Sequence, residues 1–91
     1  MRIKKFVDAC LAEVKNIDGT VIVEYGLSTT CEGDYAVDFC TGPDVSLIFS
    51  GENTAEFFDE TSGVMCDSVL RIDDLGNARI VAKSIVRAMR Y

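Results

Sequence analysis

The sequence predicts one α+β domain over residues 1–91, built of two layers: a helix, a three-stranded antiparallel sheet, and two C-terminal helices. Three observations predict it. Apolar residues recur at helical spacing near both ends, they alternate with polar residues in the middle, and short connections join the predicted strands. With 91 residues, 48% of them hydrophobic, the chain is long enough for one core and too short for two domains.

The first predicted element is a helix over residues 2–15, followed by a turn at residues 16–19. Its apolar residues follow the i, i+3, i+4, i+7 pattern of one helix face: Ile3, Phe6, Val7, Cys10, Leu11 and Val14.

Three strands are predicted next, over residues 20–27, 34–40 and 45–50, because β-branched and aromatic residues dominate there. A polar loop at 28–33 and a tight turn at 41–44 join them into a meander. One face of this sheet is expected to pack against the helices, burying Val21, Val23, Tyr25, Val37, Phe39, Val45, Leu47 and Phe49.

A second helix is predicted to begin at Asn53, because Asn53 and Glu56 have the spacing of a capping box. It would carry the adjacent Phe57 and Phe58. We favour a broad buried stripe that takes both rings, the alternative being one exposed ring that anchors an interface.

Residues 64–72 fit either a helix face or a short strand. The last segment, from Asn77 onward, is predicted to be a helix with Ile80, Val81, Ile85, Ala88 and Met89 on one face. A hairpin across residues 75–77 is the competing interpretation.

Charge is partitioned along the chain, whose formal net charge is −6. Residues 16–70 contain no Lys or Arg but hold most of the acidic residues. Strand alternation places the acids of the strands on the face opposite the core, and the predicted capped helix adds more. The candidate partner-binding residues are Glu24, Asp34, Asp38, Asp44, Glu52, Glu56, Asp59 and Glu60.

This balance excludes a general nucleic-acid-coating role, which needs net positive charge. It favours a surface for a strongly basic partner, such as a nucleic-acid-binding protein, in which carboxylates compete with phosphates for Arg and Lys. A solvated face that only keeps the protein soluble is the alternative.

The basic residues belong to the terminal helices and would form a small positive patch opposite the sheet: Arg2, Lys4, Lys5, Arg79, Lys83, Arg87 and Arg90. Two faces of opposite charge would also favour self-association at low salt.

In size, acidic balance and predicted element order, the chain resembles small phage-encoded anti-CRISPR proteins. Residues 50–54, Ser-Gly-Glu-Asn-Thr, are similar to an acidic turn between a strand and a helix in one such inhibitor. The resemblance implies a mimic of nucleic acid that blocks a CRISPR effector. That group shares no sequence motif, so it assigns no functional residue here, and the basic terminal segments depart from its strongly acidic members.

No catalytic constellation is predicted, since the chain has no His and no nucleophile–base pair. The cysteines at 10, 31, 40 and 66 lack the paired spacing of a zinc site. We expect four reduced thiols with Cys10 in the core, and no metal or cofactor. The absence of a signal peptide or membrane-spanning pattern predicts a cytoplasmic location, that of the host cell if a phage encodes the protein.

The sequence thus predicts a non-enzymatic acidic binding protein, an inhibitor encoded by a phage or mobile element that blocks the basic surface of a target. Two alternatives remain. One is an immunity or antitoxin protein that caps a toxic nuclease, and the other is a small regulatory domain whose charge only solubilises it.

Overall fold

Two helices and five strands make up the fold in the computed structural model, which describes residues 2–91. Their order along the chain is α1 (Arg2–Ile17), β1 (Gly26–Thr29), β2 (Tyr35–Asp38), β3 (Val45–Phe49), β4 (Thr54–Asp59), β5 (Cys66–Arg71) and α2 (Gly76–Met89). The strands form one antiparallel sheet in sequence order, with every strand beside its chain neighbour. The α+β class is therefore confirmed, and the sheet has five strands instead of three.

The helices pack against each other on one face of the sheet and leave the other face uncovered. α1 contributes Phe6, Val7, Cys10 and Val14 to the core, as its spacing predicts. α2 contributes mainly small and β-branched residues, among them Ala78, Val81, Ala82 and Ile85. Small side chains on α2 let the two helices approach closely over the sheet.

The strand predictions are confirmed best for β2 and β3. Val37, Phe39, Val45, Leu47 and Phe49 are all buried on the helix side, and β3 alternates buried and half-buried residues along its length. This alternation follows from the two-residue period of a strand.

The helix predicted to begin at Asn53 is wrong, because Thr54–Asp59 forms β4. Ala55 and Phe57 are buried against the helices, whereas Glu56 and Phe58 lie on the opposite face. Adjacent phenylalanines on opposite faces fit a strand and not one helix stripe. Asn53 is no helix cap, since its side-chain oxygen accepts a hydrogen bond from Arg2.

Residues 50–54 accordingly join β3 to β4 and lead into a strand. The element order on which the resemblance to anti-CRISPR proteins was partly based therefore differs from the observed order.

The first strand is displaced from its prediction, because β1 begins only at Gly26 and includes Ser28 and Thr29. Val21 and Val23 still pack partly against the core, but Tyr25 is exposed.

Of the two interpretations of residues 64–72, the strand is correct. The last segment is a helix, and the hairpin across residues 75–77 is not formed.

Candidate interaction face

The uncovered face of the sheet carries most of the acids that strand alternation assigned to it. In one cross-strand row Asp38 lies opposite Ser46, Ser46 opposite Phe58, and Phe58 opposite Asp67. Asp44 lies beside Glu60, whose backbone N–H donates to the Asp44 carbonyl at 2.9 Å. We call the carboxylates on this side the acidic face: Asp34, Asp38, Asp44, Glu56, Glu60 and Asp67.

The acidic face also carries apolar side chains near its middle. The next row across the sheet runs from Ala36 to Ile48, Glu56 and Val69. Ile48 and Phe58 are half-buried by their neighbours, and Val69 is 67% exposed. Apolar side chains and carboxylates therefore alternate on this face: Glu56 lies between Ile48 and Val69, and Asp67 lies opposite Phe58. Of the two alternatives for the adjacent phenylalanines, Phe57 is buried and Phe58 is available on this surface.

Arg71 is the only basic residue in any of the five strands, and it lies at the end of β5. Its guanidinium donates two hydrogen bonds to Asp73, at 2.7 and 3.1 Å. Hydrogen bonding and the opposite charge raise the pKa of Arg71 and lower that of Asp73. The acidic face thus has one cation at its border, and a neighbouring carboxylate already binds it.

Three predicted site residues lie elsewhere. Asp59 points to the helix side of β4, where it accepts a hydrogen bond from the buried Ser84 hydroxyl at 2.7 Å and lies 3.8 Å from Arg87. Glu52, in the β3–β4 turn, lies 3.7 Å from Arg2. Glu24 is exposed in the segment before β1 and belongs to no strand. These three do not form part of the acidic face.

Asp67 is a residue of this face that the sequence did not single out. It lies in β5, whose residues are almost all exposed. Buried and exposed residues do not alternate there, so the pattern does not show which face Asp67 lies on. The register with Phe58 places Asp67 on the acidic face.

The predicted positive patch on the helices is largely paired with acids of its own layer. Arg79 lies 3.1 Å from Glu13, Arg90 lies 2.7 Å from Asp18, and Lys4 lies 3.0 Å from Asp8. The terminal arginines therefore neutralise Asp18, Asp59 and Glu52 rather than the carboxylates of the acidic face.

The four cysteines are free, and Cys10 is buried in the core as predicted. Burial raises the pKa of the Cys10 thiol to about 12. Within residues 2–91, no group of three or more His, Cys, Asp or Glu side chains is arranged to hold a metal ion.

Neither described helix has the length and hydropathy of a membrane-spanning segment. Comparison of the chain with protein-family models, curated proteins and solved structures finds no match.

Proposed function

We propose that the protein is a non-enzymatic inhibitor, encoded by a phage or other mobile element, that covers the basic nucleic-acid-binding surface of a target protein with its acidic face. The observation that carries the proposal is the set of uncompensated carboxylates on one open sheet face, with Arg71 as the single strand cation. A CRISPR effector is the target class that the size and acidic balance favour.

The arrangement suits binding to Arg and Lys in two ways. Carboxylates form short, charge-assisted hydrogen bonds with guanidinium and ammonium groups. Clustered charges of one sign also steer an oppositely charged partner toward the face and speed association.

The apolar side chains of the face would contribute binding free energy that its charges alone do not. Exposed ion pairs contribute little net free energy because both ions lose hydration and are screened by salt. Burial of Ile48, Phe58 and Val69 against a partner would add a hydrophobic contribution beside the carboxylates that lie next to them.

The test is a double charge reversal in β4 and the turn after it, Glu56→Lys with Glu60→Lys, called the β4 variant. Neither side chain takes part in a described hydrogen bond or ion pair, so the fold is expected to persist. The matched control is Glu24→Lys with Glu32→Lys, which makes the same change in net charge at two exposed residues outside the acidic face whose side chains also take part in no described hydrogen bond or ion pair. Wild type and both variants are used to capture partners from a lysate of the host cell, and affinities are measured with the purified partner.

The expected result is a basic nucleic-acid-binding protein whose affinity falls at least about tenfold with the β4 variant and by less than about twofold with the control. Binding should weaken between about 50 mM and about 200 mM salt, and a nucleic acid that binds the partner should compete. Equal affinity for the β4 variant and wild type, or simultaneous binding of nucleic acid, would contradict the proposal. Capture of a toxic nuclease would instead identify an immunity protein.

A further inference from the structure

The outer edge of β5 is open. β5 pairs with β4 on one side only, and five of its six residues are exposed. Cys66 and Ser68 are exposed even though they lie on the helix side, so the helices do not extend over this edge. An uncovered strand edge presents unpaired N–H and C=O groups that can pair with another strand.

The register identifies which backbone groups are unpaired. The Ile72 N–H donates to the Asn53 carbonyl at 2.8 Å, so Ile72 faces β4. Because antiparallel strands alternate, Leu70 and Ser68 also bond to β4. Asp67, Val69 and Arg71 therefore direct their N–H and C=O groups away from the sheet.

The side chains of these three residues are self-complementary. In an antiparallel pairing of two β5 strands centred on Val69, Val69 lies opposite its own copy. Asp67 of each protomer then lies opposite Arg71 of the other. All three side chains project from the acidic face, so each carboxylate faces a guanidinium on the same side of the sheet.

We propose that this edge is a homodimer interface, in which two copies join their β5 strands antiparallel about Val69. This register uses every outward N–H and C=O group of Asp67, Val69 and Arg71, giving six backbone hydrogen bonds. It also places two Asp67–Arg71 ion pairs across the contact.

The Arg71–Asp73 contact of the monomer does not obstruct this arrangement. Both side chains are largely exposed, and an exposed ion pair holds its partners weakly. Arg71 can therefore turn toward Asp67 of the second copy.

The dimer would form a continuous ten-stranded sheet, with both pairs of helices on one side and both acidic faces on the other. An interface of one strand pair is small compared with that of an obligate dimer. A weak, concentration-dependent dimer is expected. The inference does not depend on the proposed function, since it concerns the edge of the sheet and not its face.

The test uses the symmetry of the contact. Asp67→Arg places two arginines opposite each other at both ends, and Arg71→Asp places two aspartates there. Each variant alone should therefore be monomeric. Mixed together, the two variants form one Arg–Asp pair at each end of the contact, so an equimolar mixture should dimerise. Sedimentation velocity from about 1 µM to about 1 mM measures each case at physiological salt.

The expected result is a wild-type dimer, at least about tenfold weaker association for each single variant, and recovery in the mixture. Glu24→Arg, a charge change remote from β5, should dimerise like wild type. Thermal unfolding of every variant establishes that it is folded.

Val69→Pro tests the β5–β5 pairing independently if a charge variant does not fold. The Val69 N–H takes no part in the β4 ladder, so proline removes no internal hydrogen bond there. This variant should be monomeric. A wild type that remains monomeric at about 1 mM, single variants that associate like wild type, or a mixture that stays monomeric would overturn the proposal.

Discussion

Asp59 shows how one residue changes its role when its element changes. As part of β4 it points toward α2, where it accepts hydrogen bonds from the Thr61 backbone and side chain and from Ser84. Burial raises its pKa, but these hydrogen bonds and the Arg87 charge more than offset that effect and lower it below the ordinary value. Asp59 is therefore a structural anchor between the sheet and α2.

Replacement of Asp59 by Ala should reduce the free energy of unfolding by about 1–3 kcal/mol, because the buried Ser84 hydroxyl and the Thr61 N–H lose their acceptor. Glu60→Ala, the next residue along but on the acidic face, should change it by less than about 0.5 kcal/mol. Urea denaturation at neutral pH measures both. Equal effects of the two substitutions would show that Asp59 does not anchor α2.

At the scale of elements, the two helices were predictable because their apolar spacing extends over several turns and both stripes face the core. β4 was not, because Asn53 and Glu56 match a local capping signal. The pairing of β4 with β3 and β5 determines its conformation instead. Almost all residues of β5 are exposed. The segment therefore has no regular alternation of buried and exposed positions from which a strand could be distinguished from a helix.

Part of the candidate site was also predictable from the sequence, where strand alternation determines which face a side chain lies on. Asp38 in β2, and Asp34 and Asp44 directly before β2 and β3, lie on the predicted face because successive side chains of a strand point to opposite faces. Glu56 and Glu60 lie on the acidic face too, but as residues of a strand and the turn after it, not of a helix. The ion pairs of Glu52 and Asp59 with arginines of the terminal helices depend on tertiary packing, which no local pattern encodes.

Two neighbouring residues of β3 test this division between faces. Leu47 is fully buried under the helices, so Leu47→Ala should cost about 2–5 kcal/mol of stability by leaving a cavity. Ile48 is half-buried on the open face, so Ile48→Ala should cost less than about 1.5 kcal/mol. Chemical denaturation gives both values, and a larger loss for Ile48 would mean that the open face is itself packed.

At the scale of the whole molecule, two helices cover one face of a five-stranded sheet and leave open the opposite face and the edge strands β1 and β5. The cations lie mainly on the helices, where several pair with acids of the same layer. The proposed partner contact thus uses the uncovered face of the sheet, and the proposed dimer uses one of its two edges. They can form independently, since one uses the plane of the sheet and the other its border.

Asp18 connects the ends of the two helices and makes stability depend on pH. Hydrogen bonds from the Thr20 hydroxyl and then from Arg90, at 2.6 and 2.7 Å, lower the pKa of Asp18 from 3.8 to about 2. A carboxyl with a lowered folded-state pKa stabilises the fold above its unfolded value. This contribution is therefore complete above pH 4 and is lost as pH falls toward 2.

Asp18→Asn removes this titration, so its stability should fall below that of wild type at neutral pH and change less steeply between pH 4 and pH 2. Thr20→Val removes the strongest donor but keeps the carboxylate and the Arg90 contact, and it should give an intermediate slope. Urea midpoints across this pH range measure both effects. The same acid dependence in Asp18→Asn as in wild type would mean that other carboxyls, and not this link between the helix ends, set the acid limit of the fold.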